Sequence, residues 1–162
     1  MDRAAIEELF TFTDYGWRTY EELIRPLGDD LLTRPAPGSG WPALSDALTH
    51  IVGGYVRWLS RPDGTTPYRT EPMSSWVELE DYRRRVLEHA RAYLDSLGDD
   101  ELVTPREMIV DGEPIRYSPA DIFAHAMLHE RQHHGDLNTL LYQLGIPLPI
   151  VEYRFSLPER GA

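Results

Sequence analysis

Ala124-His125-Ala126-Met127-Leu128-His129-Glu130-Arg131-Gln132-His133-His134-Gly135-Asp136 places four of the chain's six histidines within ten residues. The surrounding apolar pattern makes this stretch a helix. Ile122, Ala126, His129, His133, Leu137, Leu140 and Leu144 follow one another in steps of three and four, the spacing of one helical face. His129 and His133 therefore occupy positions that the flanking residues mark as core. Four residues apart, their Cβ atoms lie roughly 5–6 Å from each other, and both imidazoles can aim at one point. No apolar residue occurs from His129 to Asp136. Burying so much polar surface without partners is unfavourable by several kcal/mol, and a divalent metal bound by neutral imidazoles removes that penalty.

Upstream of this helix, Ser118-Pro119-Ala120-Asp121 supplies an N-cap, a proline at the first helical position and an acid three residues after the cap. The helix is expected to run to about Leu144, before Gly145. Asp111-Gly112, flanked by Met108-Ile109-Val110 and Ile115-Arg116-Tyr117, predicts a short hairpin just ahead of it. Three more amphipathic helices precede the hairpin. The first runs from Ile6 to about Leu27 and ends at Pro26 and Gly28. After a Pro/Gly/Ser-rich loop over 34–42, the second carries Leu44 to Leu59 and is closed by Pro62-Asp63-Gly64. A loop with Pro67 and Pro72 leads to the third, Trp76 to Leu97, ended by Gly98. With no internal repeat, the pattern predicts one all-α domain over residues 1–162, its four helices around a single core and the hairpin and tail outside.

Composition narrows the partners. The chain carries a net charge of −11, with 41% hydrophobic and 27% charged residues. That charge opposes phosphate backbones, and Arg83-Arg84-Arg85 sits among Glu78, Glu80, Asp81 and Glu88, so nucleic acid is excluded. No apolar run approaches the ~18 residues of a membrane helix, and the N-terminus lacks a signal-peptide layout, which predicts a cytoplasmic protein off the membrane. There is no cysteine. The protein thus offers no thiolate ligand or nucleophile, and any thiol chemistry needs a thiol from outside. All sixteen basic residues are arginine, which excludes Schiff-base lysine chemistry.

A third metal ligand must come from another helix, because His134 is turned about 100° from His133. His50, beside the stripe Ala47, Ile51, Gly54 and Trp58, is the candidate; a core histidine taken alone is more often hydrogen-bonded than metal-bound, and the His129/His133 pair is what favours the ligand reading. Gly53 and Gly54 beside it either open a pocket or permit close helix packing. His125 shares the face of His129 as a ligand, a donor behind the ligands or a pocket wall. His89 lies in a charged helix and reads as a surface residue.

His129-Glu130-Arg131-Gln132-His133 spells H-E-x-x-H, the zinc-protease signature in which the glutamate activates water. Thr139 stands where the extended form needs a histidine, and only 29 residues follow His133, so peptidase is disfavoured. The same residues, together with Ala47-Leu48-Thr49-His50-Ile51, the Asp-Gly hairpin and Leu140-Leu141-Tyr142-Gln143-Leu144-Gly145, resemble the DinB/YfiT-like metalloenzymes across nearly the whole chain. The resemblance implies a four-helix up-down bundle, a homodimer, and His50, His129 and His133 as ligands of zinc or nickel. His134 and Asp136 depart from the Arg and Gln often found beside Gly135 in that family, a change at the pocket rim or behind the ligands. Relatives include transferases and isomerases that use bacillithiol or mycothiol. The expectation is a metal-dependent S-transferase joining such a thiol to a small electrophile. The alternatives are a metal-dependent hydrolase of a small molecule and a non-catalytic metal-binding stress protein.

Overall fold

A computed structural model describes residues 1–59, 71–110 and 113–157. The Pro62-Asp63-Gly64 stop, Pro67 and the Asp111-Gly112 turn lie outside the described residues. Helix α1 (Arg3–Ile24) begins at Asp2, whose carboxylate accepts from the Ala5 amide at 2.9 Å, and passes into a 3-10 turn over Arg25–Leu27 that ends at Gly28. Helix α2 spans Leu44–Leu59 and α3 spans Trp76–Asp95, capped by Ser75. Gly98, expected to end the third helix, instead opens a five-residue helix α4 (Asp99–Val103), its amide donating to the Glu101 carboxylate at 2.9 Å. Strands β1 (Arg106–Val110) and β2 (Glu113–Tyr117) pair antiparallel with Met108 opposite Ile115. Helix α5 (Pro119–Gln143) starts in the reciprocal Ser118–Asp121 cap that its sequence predicts. An all-α fold with a small hairpin is the result, and no helix among the described residues is long and apolar enough to cross a membrane.

Side-chain pairs fix the helix directions. Glu7 meets Arg91 and Asp14 meets Arg83, so α1 and α3 are antiparallel. Phe10 meets Phe123 and Tyr20 meets Asn138, so α1 and α5 run parallel. Trp58 meets His125 and His50 meets His133, so α2 opposes α5 and runs the same way as α3. The directions are therefore up, down, down, up; the alternation of an up-down bundle holds from α1 to α2 and from α3 to α5, while α2 and α3 run the same way. Buried side chains of all four long helices form one hydrophobic cluster.

α5 is buried on two faces. One carries Ile122, Ala126, Leu137 and Leu140; the other carries Phe123, Met127, Glu130, His134 and Leu141. The second face is not evident from the first stripe, because two of its members are ionisable. The tail also departs from expectation: Val151 is buried, approaching α1 beside Gly16.

Candidate metal centre

The antiparallel contact of α2 with α5 brings His50, His129 and His133 together, with one donor nitrogen of each within 4.8 Å of the others. All three are half-buried rather than fully enclosed, so the group lies where the core meets solvent. His129 and His133 Nε2 atoms stand 3.1 Å apart. Two nitrogens held about 2.0–2.1 Å from a tetrahedral ion are separated by about 3.3–3.4 Å, so the pair needs only a small adjustment to share one.

The second nitrogen of His133 is already committed. Its Nδ1 donates to Asp136 Oδ2 at 2.7 Å, and the same oxygen accepts from the Trp41 indole at 3.0 Å. That bond places the proton on Nδ1 and leaves the Nε2 lone pair facing the other histidines, the arrangement found behind metal-bound imidazoles. Burial opposes the Asp136 charge, but hydrogen bonds from Trp41 and His133 hold its pKa below the usual carboxylate range. Trp41 also covers the site, with ring centroids 5.0 Å from His50 and 5.7 Å from His133. Its contribution is invisible in the sequence, since it sits in a Pro/Gly-rich loop. Asp136 was legible as the residue one turn beyond His133.

Gly54 explains part of the local design. A Cβ there would lie 2.8 Å from His129 Nδ1 and 2.9 Å from its Cε1. The space that suggested a pocket beside His50 is thus filled by the His129 ring. His129 Nδ1 is buried with no hydrogen-bond partner among the described residues. Gly54→Ala is expected to push the ring out of line and weaken metal affinity by roughly ten- to a hundredfold, the range seen when ligand orientation is disturbed. A chelator competition titration measures it; unchanged affinity would show that the ring tolerates the displacement.

Both titratable shifts at the site favour the neutral, ligand-ready form. Burial first, then the neighbouring His133 and His50, lowers the His129 pKa from 6.5 to about 4. His50 is lowered by burial and by His133. In the interval between a folded value near 4 and the ordinary 6.5, the unfolded chain binds a proton that the metal-free fold excludes. Stability of metal-free protein is therefore complete above the upper value and falls as pH drops towards the lower one. Urea midpoints of metal-free protein at neutral pH and at about pH 5 should differ accordingly, and a His129→Phe variant should flatten the dependence.

The remaining polar residues of the histidine stretch do something else. Glu130 is 1% exposed and His134 2% exposed, and both turn away from the three-histidine group into the bundle. The Tyr55 hydroxyl donates to Glu130 Oε2 through a short hydrogen bond, and burial, then Glu130, raises the Tyr55 pKa well above its usual value. Arg131 donates to His134 Nδ1 at 2.9 Å, leaving the proton of the neutral ring on Nε2. That Nε2 approaches Glu130 Oε1 at 3.5 Å without hydrogen-bond geometry. The His134 ring lies tilted against Tyr20, centroids 4.9 Å apart, and fits because residue 16 is glycine; a Cβ there would lie 2.7 Å from His134 Cε1. So the polar run is divided: His129 and His133 face α2, while Glu130 and His134 lock α5 to α1 and α2.

Elsewhere, His125 is exposed and lies against Trp58, its ring centroid 6.3 Å from that of His129. His89, read as surface, is half-buried, with Nε2 buried and unpartnered among the described residues. Arg83 and Arg91 pair with Asp14, and Arg84 and Arg85 pair with Asp81, so the third helix presents an ion-pair lattice.

Three histidines at the α2–α5 seam of a helical bundle fit a metal-binding protein. A family model for the DinB superfamily matches residues 13–137, and the chain belongs to that superfamily. The crystal structure of a DinB-like protein from Bacillus cereus shares the fold, with a TM-score of 0.71 at 19% identity over 93% of this chain and 98% of that one. No curated protein matches the chain significantly.

Proposed function

We propose that the chain is a metal-dependent S-transferase in which His50, His129 and His133 hold zinc or nickel, and a low-molecular-weight thiol such as bacillithiol or mycothiol attacks a small electrophile. The observation that carries the reading is the convergence of three imidazole nitrogens within 4.8 Å from two facing helices. Three protein ligands leave coordination positions free, and a bound divalent ion lowers the pKa of a thiol placed there. The chain's own residues supply the rest: Asp136 and Trp41 orient His133, Gly54 seats His129, and burial favours the neutral form of His129 and His50. The absence of cysteine means no protein thiol competes for the ion.

The position of Glu130 favours thiol transfer over hydrolysis. In an H-E-x-x-H hydrolase the glutamate reaches the metal-bound water. Here it is bonded to Tyr55 inside the bundle. In the transfer step, the thiol sulfur bonds to the electrophilic carbon, the leaving group departs with the electron pair of its broken bond, and the thiol proton passes to solvent.

Metal-loaded protein should conjugate bacillithiol or mycothiol to chlorodinitrobenzene or iodoacetamide well above both the uncatalysed rate and the rate with metal-free protein, read by mass spectrometry. Turnover without thiol would replace this reading with hydrolysis. Metal binding without turnover in either condition would leave a non-catalytic metal-binding protein. The proposal includes a cytoplasmic location and, by family resemblance, a homodimer.

A further inference from the structure

Facing residues of α2 and α5 form a ladder. His50 lies against His133 with ring centroids 4.6 Å apart, Gly54 lies against His129, and Trp58 lies against His125 at 4.2 Å. Each rung is one helical turn, a rise of about 5.4 Å. At the third rung the groove opens into a cavity of about 330 Å³ lined by Trp58, Ile115, Tyr117, Asp121, Ile122 and His125. The cavity therefore begins one turn from the metal centre, with hairpin strand β2 as its outer wall. Its volume falls at the lower end of the roughly 300–1,000 Å³ typical of small-molecule sites.

We propose that this cavity seats a flat, uncharged aromatic group of the electrophile, leaving its reactive carbon towards His129. The proposal rests on the thiol-transfer reading and names the substrate class for that same site. Three rings, those of Trp58, Tyr117 and His125, offer stacking and edge contacts, and Ile115 and Ile122 supply branched apolar surface. Tyr117 is 50% exposed, so ring surface remains available to a ligand. Among the described residues no arginine lines the cavity; Arg57 lies 5.8 Å from the Trp58 ring centre and is not part of the lining. Asp121 is the lining's acid, and its carboxylate accepts from the Ser118 amide at 3.0 Å and hydroxyl at 2.6 Å. A carboxylate fixed in this way repels an anionic ligand, as does the net charge of −11.

Dinitrotoluene matches chlorodinitrobenzene in shape but has no leaving group, so it reports binding without reaction. It should quench tryptophan fluorescence saturably in the full-length protein, and bind at least about tenfold more tightly than benzoate or cyclohexanol followed by ligand-detected NMR. Ile115→Trp, on the half-buried hairpin, should fill the cavity and weaken binding by at least about tenfold, with circular dichroism and metal content unchanged. Tyr117→Ala, which removes a ring from an exposed position, should weaken it in the same direction. Binding that is absent, equal across the ligands or indifferent to both substitutions would overturn the proposal. If the protein holds no metal yet dinitrotoluene binding still depends on Ile115, the cavity stands and the thiol-transfer reading falls. If metal is held and thiol-dependent conjugation occurs but dinitrotoluene does not bind, the thiol-transfer reading stands and the cavity proposal falls.

Discussion

His129→Ala should reduce affinity for zinc or nickel by roughly a hundred- to a thousandfold while leaving the helical content unchanged, since one of three protein ligands is lost and alanine suits a helix. His129 is the choice because its ring stands against both other imidazoles, 4.4 Å from His133 and 5.1 Å from His50 by ring centroids. The metal-free fold should suffer little, because the substitution also removes a half-buried imidazole whose Nδ1 has no partner among the described residues. Elemental analysis of untagged protein after dialysis against a weak chelator should fall from about one metal per chain to near none. His125→Ala, one turn away on the exposed face, should retain the metal. Equal retention by both variants would remove His129 from the ligand set.

Glu130→Ala should act on stability and spare the metal. The carboxylate is buried, accepts from the Tyr55 hydroxyl and faces His134 Nε2 across 3.5 Å. Its removal strands both neighbours and opens a void, for a loss of about 2–5 kcal/mol. For a chain of this length that corresponds to a fall in Tm on the order of 5–15 °C. Glu130→Gln keeps an acceptor for Tyr55 and should lose less. Calorimetry and metal analysis on the same samples separate the roles: a glutamate acting as a hydrolytic base would leave Tm almost unchanged and abolish turnover. That result would return Glu130 to the metal site and contradict its placement in the bundle interior.

The same helix shows why some of the structure was legible and some was not. Helical spacing placed His129 and His133 on one face, and the Ser118–Asp121 cap fixed where α5 starts. His50 was legible because it stands beside an apolar stripe on α2. The second buried face of α5 was hidden, since Glu130 and His134 are ionisable and nothing local marks them as core until their partners Tyr55, Tyr20 and Arg131 are brought in by α1, α2 and α5 itself. Direction was hidden for a different reason: α2 and α3 run the same way, and helical periodicity carries no information about which neighbour a helix meets. Trp41 reaches the site because its indole bonds Asp136, a contact 95 positions apart that no local pattern encodes.

Whether His50, His129 and His133 share one ion is decided by anomalous scattering at the zinc and nickel absorption edges from crystals of untagged protein. A single strong peak is expected between the three imidazoles, with the coordinating nitrogens about 2.0–2.1 Å from it. A peak elsewhere, or no peak in crystals grown with either metal and an intact fold, would contradict a shared ion.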